Sequence, residues 1–227
     1  ILFLVFTSAS FSNAQAETVP FDTTRWDLSR AEVIEHLDRQ ALKGFAPLKN
    51  VSMQNGILEV DVAFTGARSY PGFRFRMQES FDWEEVYIRP HRMGLYDDAI
   101  QYTPCFGGVS CWQLYCGSGE VAEADLPENE WVHLEVRIKD SQAYVYVGDS
   151  DEPALYVYEM VHDPVAGGIA LNCPLDGTAF FSNFSYTITD NLDFPAPAPA
   201  FPKPGIVMDW EITQAVSFKV VDKELHY

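Results

Sequence analysis

The chain has 227 residues, 47% of them hydrophobic, which suits one large domain with appendages. Its formal net charge is −18, a field that disfavours nucleic acid and anionic membrane surfaces as partners. No apolar run reaches the roughly 18 residues that a membrane span requires.

The first residues, Ile1-Leu2-Phe3-Leu4-Val5-Phe6, lead through small polar residues to Ala14-Gln15-Ala16. They read as the apolar region and A-x-A site of a secretory signal peptide over 1–16, incomplete at its start, and place the mature protein in a secreted, periplasmic or cell-surface setting. Four cysteines (Cys105, Cys111, Cys116, Cys173) fit an exported chain with up to two disulfides. Three pairings are open, and the short spacing favours Cys105 with Cys111, leaving Cys116 for Cys173. No C-x-x-C spacing supports zinc, and no metal site is expected apart from a Ca²⁺ option at Asp149, Asp151 and Glu152. Asn50-Val51-Ser52 and Asn183-Phe184-Ser185 match the glycosylation acceptor pattern.

Residues 31–43 carry a stripe of Ala31, Ile34, Leu37 and Ala41 that by itself suits a helix, although the segment sits among strands. From Gly56 onward the pattern has period two, with turns every 8 to 12 positions, as in a sandwich or barrel of antiparallel strands. Leu58, Val60, Val62 and Phe64 alternate with Glu59, Asp61 and Ala63. Phe73, Phe75 and Met77 alternate with Arg74, Arg76 and Gln78. Val132 to Lys139 and Gln142 to Val147 form a further pair, and Gly167 to Leu171 and Thr178 to Ile188 supply the last strands. Residues 191–205 are a Pro/Ala-rich linker, extended and without a packed core. Residues 206–227 are too short to fold alone and read as the start of a truncated second domain, a covalently linked partner.

In Glu84-Glu85-Val86-Tyr87-Ile88-Arg89-Pro90-His91-Arg92, the hydrocarbon residues Val86 and Ile88 look inward, while Glu85, Tyr87, Arg89 and His91 line the other face. By the same parity Arg74, Arg76, Gln101, Thr103, Gln113 and Tyr115 face outward, with Trp112 on the other parity or at a hairpin end. Strands about 4.8 Å apart gather such side chains into one patch. Planar donors and acceptors beside aromatic rings suit the hydroxyls and apolar face of a sugar, although cross-strand pairs also stabilise sheets with no ligand involved. There is no G-x-S-x-G, no H-E-x-x-H and no phosphate-cradling glycine loop.

Glu85 to His91, Asp98-Ala99-Ile100-Gln101-Tyr102-Thr103-Pro104, Gly108-Val109-Ser110, Trp112-Gln113-Leu114-Tyr115 and Ala179 to Phe184 together resemble a known group. They are similar to the laminin-G-like jelly rolls of the concanavalin A-like lectin/glucanase superfamily, near the 3-keto-disaccharide hydrolase-like domains of secreted bacterial proteins. The resemblance spans about residues 25 to 190. It implies an all-β jelly-roll sandwich of two antiparallel sheets over 17–190, with 31–43 as two strands turning near Asp38. It also implies a ligand-facing sheet carrying Arg74, Tyr87, Arg89, His91, Gln101 and Tyr115. The glucanases of this superfamily use E-x-D-x-x-E on one strand; Glu59 and Asp61 match, but position 64 is Phe, which puts hydrolysis in doubt.

The expected function is a secreted carbohydrate-recognition or accessory module. Arg74, Arg89, His91, Gln101 and Gln113 would hydrogen-bond the saccharide, Tyr87 and Tyr115 would stack, and Glu85 would orient the arginines. The enzymatic alternative is a glycoside hydrolase or lyase with Glu85 or His91 as acid/base. The third alternative is a scaffold that binds nothing.

Overall fold

The computed structural model describes residues 16–194, 219–221 and 224–226. Nearly all of the signal-peptide reading, the Pro/Ala tract from 195 and most of 206–227 fall outside the described residues. The described residues are all-β apart from one 3₁₀ turn, Pro90–Arg92. Its strands are β1 (Glu17–Thr18), β2 (Arg30–His36), β3 (Arg39–Pro47), β4 (Gly56–Phe64) and β5 (Gly72–Met77). After them come β6 (Trp83–Ile88), β7 (Ile100–Phe106), β8 (Val109–Ser110), β9 (Val121–Ala122) and β10 (Val132–Lys139). The sandwich ends with β11 (Gln142–Val147), β12 (Leu155–Val157), β13 (Gly168–Asn172) and β14 (Ala179–Ile188). A separate two-stranded sheet pairs β15 (Lys219–Val221) with β16 (Glu224–His226).

The main sheet runs β12-β11-β10-β4-β14-β3-β13-β5-β6-β7-β8, each neighbour antiparallel to the next. Between β14 and β3 the ladder thins to one pair, Phe181 with Leu42. There the sheet folds over, and the inner parities of both halves meet in one core. Leu58, Val60, Leu134, Val136 and Ile138 come from one half; Phe73, Phe75, Val86, Ile88 and Ile100 come from the other, and each is fully buried. This is the jelly-roll sandwich that the resemblance implies, one of the two architectures that period-two patterning leaves open.

The helical stripe of 31–43 loses to hairpin chemistry. Leu37 and Asp38 take φ of 46° and 58°, a two-residue turn with both φ positive, whose twist matches that of paired strands. β2 and β3 then pair in register from Arg30↔Phe45 to His36↔Arg39, and Val33 packs against the core while Leu42 is part of it.

Three expectations are corrected. Arg76 does not join the outward face: at φ 52° it leaves the alternation, and its guanidinium enters the sandwich end to donate to the carbonyls of Gln54 (2.9 Å) and Asp140 (2.6 Å). The four cysteines are free thiols rather than disulfides. Cys173 is held inside the core between the Gly44 N–H (3.3 Å) and the Ala179 carbonyl (3.4 Å), whereas Cys116 is exposed on a rim loop, so the fold keeps that pair apart. Burial pushes the Cys173 thiol up to about 12 and that of Cys105 up to about 11, which makes both inert. Finally, the Asp149–Glu152 loop closes on itself through the Ser150 hydroxyl, which donates to the Glu152 carbonyl (2.9 Å) and accepts from its N–H (3.1 Å). Its acids do not converge; among the described residues the side chains that bring three ligand atoms within 4.8 Å are Glu59, His133 and Glu135, on the other half of the sandwich.

Candidate functional site

Strand register builds the site. One row across the outer parity reads Arg30↔Phe45↔Asn172↔Gly72↔Tyr87↔Gln101, and the next aligns Arg74↔Glu85↔Thr103. Directly opposed residues share a face, so these rows form a floor. It is not the solvated surface that alternation suggests: all six residues of β6 are buried, and so is β7 up to its last residue, Phe106. Two loops account for this. Residues 68–70 rise at one side and residues 110–117 fold over from β8, leaving a cleft of about 350 Å³. Arg74, Glu85, Tyr87 and Asn172 line it from the floor, and Arg68, Tyr70, Ser110 and Trp112 from the loops. Gly72 sits mid-floor because a Cβ there would lie 2.1 Å from the Val86 carbonyl oxygen and 2.5 Å from the Tyr87 Cα.

Two arginines are each clamped between rings. The Arg74 guanidinium lies 4.5 Å from the Trp83 ring centre and 5.2 Å from that of Phe45, and its Nε donates to Glu85 Oε1 at 3.2 Å. Glu85 also accepts from Trp83 Nε1 (3.3 Å) and Asn172 Nδ2 (3.4 Å). Arg89 lies between Tyr70 (5.9 Å) and Trp112 (5.4 Å) and pairs with Asp98, which also takes two bonds from Arg92, at 2.6 and 2.8 Å. Burial pushes the Asp98 carboxyl up, but the guanidinium groups of Arg92 and Arg89 outweigh it and hold the group below its ordinary value. Ring-stacked, carboxylate-backed guanidiniums are pre-oriented and lose little freedom on binding.

Gln101 is a fastener rather than a contact. It is fully buried, and its amide nitrogen donates to the carbonyls of Trp112 (2.9 Å) and Tyr115 (2.6 Å) while its oxygen accepts from the Tyr87 hydroxyl (2.8 Å). One side chain thus ties the capping loop to the floor and places Trp112 over Arg89. Burial raises the Tyr87 hydroxyl far above its ordinary value, so it stays a neutral donor.

Of the residues expected from sequence, Arg74, Glu85 and Tyr87 line the cleft, and Arg89 lies beneath the rings of its wall. His91 is displaced because Pro90 ends β6 pairing and starts the 3₁₀ turn, setting the imidazole edge-on to Tyr70 at 5.6 Å and off the cleft lining. Burial, then Arg89, Arg68 and Arg92, lower its pKa and favour the neutral ring. Tyr115 turns toward the core, 6.4 Å from the Tyr102 ring, and contributes its carbonyl rather than its ring. Gln113 is exposed on the loop and does not line the cleft. Arg68, Tyr70, Ser110 and Asn172 were not foreseen, because three stand on loops or strand ends where no period reports side-chain direction. Asn172 shows only through its pairing with Gly72 and Phe45. Glu59 and Asp61 point out from the opposite half, beside His133, Ser185 and Arg39. A larger hollow of about 560 Å³ lies between residues 94–97 and 123–125, but its wall is loop residues, with Asp97, Glu123 and Asp125 and no clamped cation.

The fold is an all-β sandwich shared with solved structures of very different sequence. The chain is similar to a carbohydrate-binding module, CBM66, from Bacillus subtilis, with TM-score 0.55 and 14% identity, covering 74% of this chain and 99% of that one. It is also similar to a structure described as a native glycosidic hydrolase, with TM-score 0.50 and 12% identity, covering 79% and 97%. A looser likeness, with TM-score 0.45 and 13% identity over 72% and 99%, is to the galectin LEC-6 of Caenorhabditis elegans. No protein-family model matches the sequence, and no curated protein matches it.

Proposed function

We propose that this chain is a secreted carbohydrate-recognition or accessory module, close to the laminin-G-like domains that its β6–β8 sequence resembles, and that it binds saccharide in the cleft over β5–β7. The observation that carries this reading is the cleft itself: two guanidinium planes fixed by rings, an amide and a carboxylate at their edges, and the half-buried Tyr70 and exposed Trp112 rings above. Pyranose recognition needs that combination of fork-like donors, acceptors and aromatic faces. Binding is favoured over turnover because a glycosidase needs a second carboxyl across the scissile bond. Glu85 is the acid that lines the cleft, and its oxygens already accept from Arg74, Trp83 and Asn172. His91, the other acid/base candidate, stands off the lining.

The test is a glycan-array and polysaccharide screen of the full chain, wild type beside Arg74→Ala and Trp112→Ala, with reducing ends assayed on every hit. The reading expects binding that both substitutions weaken and no new reducing ends. A folded wild type that binds no glycan would overturn it, and turnover lost in Glu85→Gln would replace it with the hydrolase or lyase alternative.

A further inference from the structure

The cleft face runs against the charge of the molecule that carries it. The chain as a whole is at −18. Yet Arg30, Arg68, Arg74, Arg89 and Arg92 gather around this face, and the carboxylates paired with them are Glu85 and Asp98. A third of the 15 basic residues therefore stand together over two acids. Further along β2 and β3, Glu32 and Lys43 cancel each other at 3.0 Å.

The distribution within the cluster matters more than its sum. Among the described residues neither Arg30 nor Arg68 has a carboxylate partner. Arg30 lies 5.0 Å over the Phe45 ring, whose other neighbour is Arg74, and Arg68 donates to the Tyr70 hydroxyl at 2.7 Å. Arg89 is 6% exposed, and its Nε is buried without a hydrogen-bond partner. Arg30 and Arg68 are therefore held by rings and a hydroxyl rather than by acids, which orients these two cations without neutralising them.

Resting on the saccharide reading above, we infer that the ligand is an acidic glycan, bearing uronate carboxylates or sulfate esters, with Arg68 and Arg74 taking one anionic group at the cleft and Arg30 a second along the Arg30–Phe45–Asn172 row. Arginine is the side chain whose fork matches both planar carboxylate and sulfate oxygens. The overall negative field does not oppose this. At physiological ionic strength the screening length is about 8 Å, so a bound anion senses the guanidiniums beside it and little of the distant acidic surface.

The experiment titrates the full chain by calorimetry with polygalacturonate, its fully methyl-esterified form, dextran sulfate and dextran. Arg30→Ala, Arg68→Ala and the opposite-face control Arg137→Ala run in parallel. Arg30 is exposed at the start of β2 and Arg68 is exposed on a loop, so their variants fold. Expected are binding to one or both acidic polymers, at least about tenfold weaker binding to the matching neutral one, and a loss of about tenfold in Arg68→Ala and less in Arg30→Ala, with Arg137→Ala unchanged. The pattern across the two acidic polymers tells carboxylate from sulfate. Equal binding to esterified and free polygalacturonate would overturn the inference and leave the saccharide reading intact. Binding to acidic polymers that neither Arg30→Ala nor Arg68→Ala weakens would overturn it as non-specific attraction. No binding to any of the four, alongside neutral hits in the array, would also overturn it, and no binding in either screen would remove both readings.

Discussion

The two outer faces of the sandwich come from the same alternating strands and have become different surfaces. On the face of β10, β4 and β14, the charged side chains meet an opposite charge or a hydroxyl on that same face. Arg39 bonds Asp61 at 2.6 Å, His133 Nδ1 meets Asp61 at 3.2 Å, the Ser185 hydroxyl donates to Glu59 at 3.1 Å, and Arg137 pairs with Glu135. On the face of β5, β6 and β7 Arg74 and Arg89 lie between aromatic rings, two loops close over them, and among the described residues Arg30 and Arg68 meet no carboxylate. Alternation therefore sets which side chains share a face; the loops and the cross-strand partners decide whether that face is scaffold or site.

The sharpest way to break the contrast is to release the loop. Gln101→Leu removes the donor from two carbonyls and the acceptor from the Tyr87 hydroxyl, each inside the fold. It should lower stability by roughly 2–4 kcal/mol in denaturant unfolding, raise hydrogen exchange over residues 111–117 and abolish glycan binding. Next is Gly72→Ala, whose Cβ meets backbone that cannot retreat without separating β5 from β6. A loss of about 1–3 kcal/mol is expected, together with weakened binding.

Matched arginines sharpen the comparison directly. Arg74→Ala should weaken glycan binding about tenfold, while Arg137→Ala, also a guanidinium over a ring (Tyr146, 4.3 Å), should leave it unchanged. Equal losses would mean that the two faces do not differ in function. The smallest effect is on the paired face. The hydrogen bond that His133 donates to Asp61 raises its pKa above the ordinary 6.5, with the Asp61 and Glu59 charges adding to it against desolvation. A raised folded-state pKa gives stability that is full below 6.5 and fades as pH climbs through the folded value. The pair is partly exposed and screened, so the contribution is well under about 1 kcal/mol. His133→Gln should flatten the pH dependence of the melting temperature above pH 6.5 and leave binding alone.

Much of the fold could be read from the order of the residues, because a strand reports its two faces every second position. β4, β5, β6, β10, β11 and β14 lie close to where alternation puts them, and the floor residues Arg74, Glu85 and Tyr87 followed from it. The failures share a cause. Arg76 left the pattern through a positive φ, His91 through a proline-led turn, and Tyr115 through a loop whose direction is set by the Gln101 amide. Glu84 shows the same limit: it takes the inward parity of Val86, and only the structure reveals that Tyr102 (2.8 Å) and the His162 N–H (2.9 Å) satisfy it there. The capping loop, with Trp112, could not be placed by any period, and it makes the floor into a cleft.

One contact at the end of the described sandwich has a mechanical consequence. Asn55 donates to Asp190 (2.7 Å), Lys139 to the Leu192 carbonyl (2.8 Å), and the Phe194 ring stands edge-on to Tyr144 at 4.5 Å. Tyr144 faces out from β11, on the half that lacks the cleft. A load pulled through the chain beyond residue 194 therefore enters the molecule at β10 and β11. It must peel these anchors and then work along β14 and its β4 ladder, on the half that lacks the cleft, before any strain reaches the loop that carries Trp112.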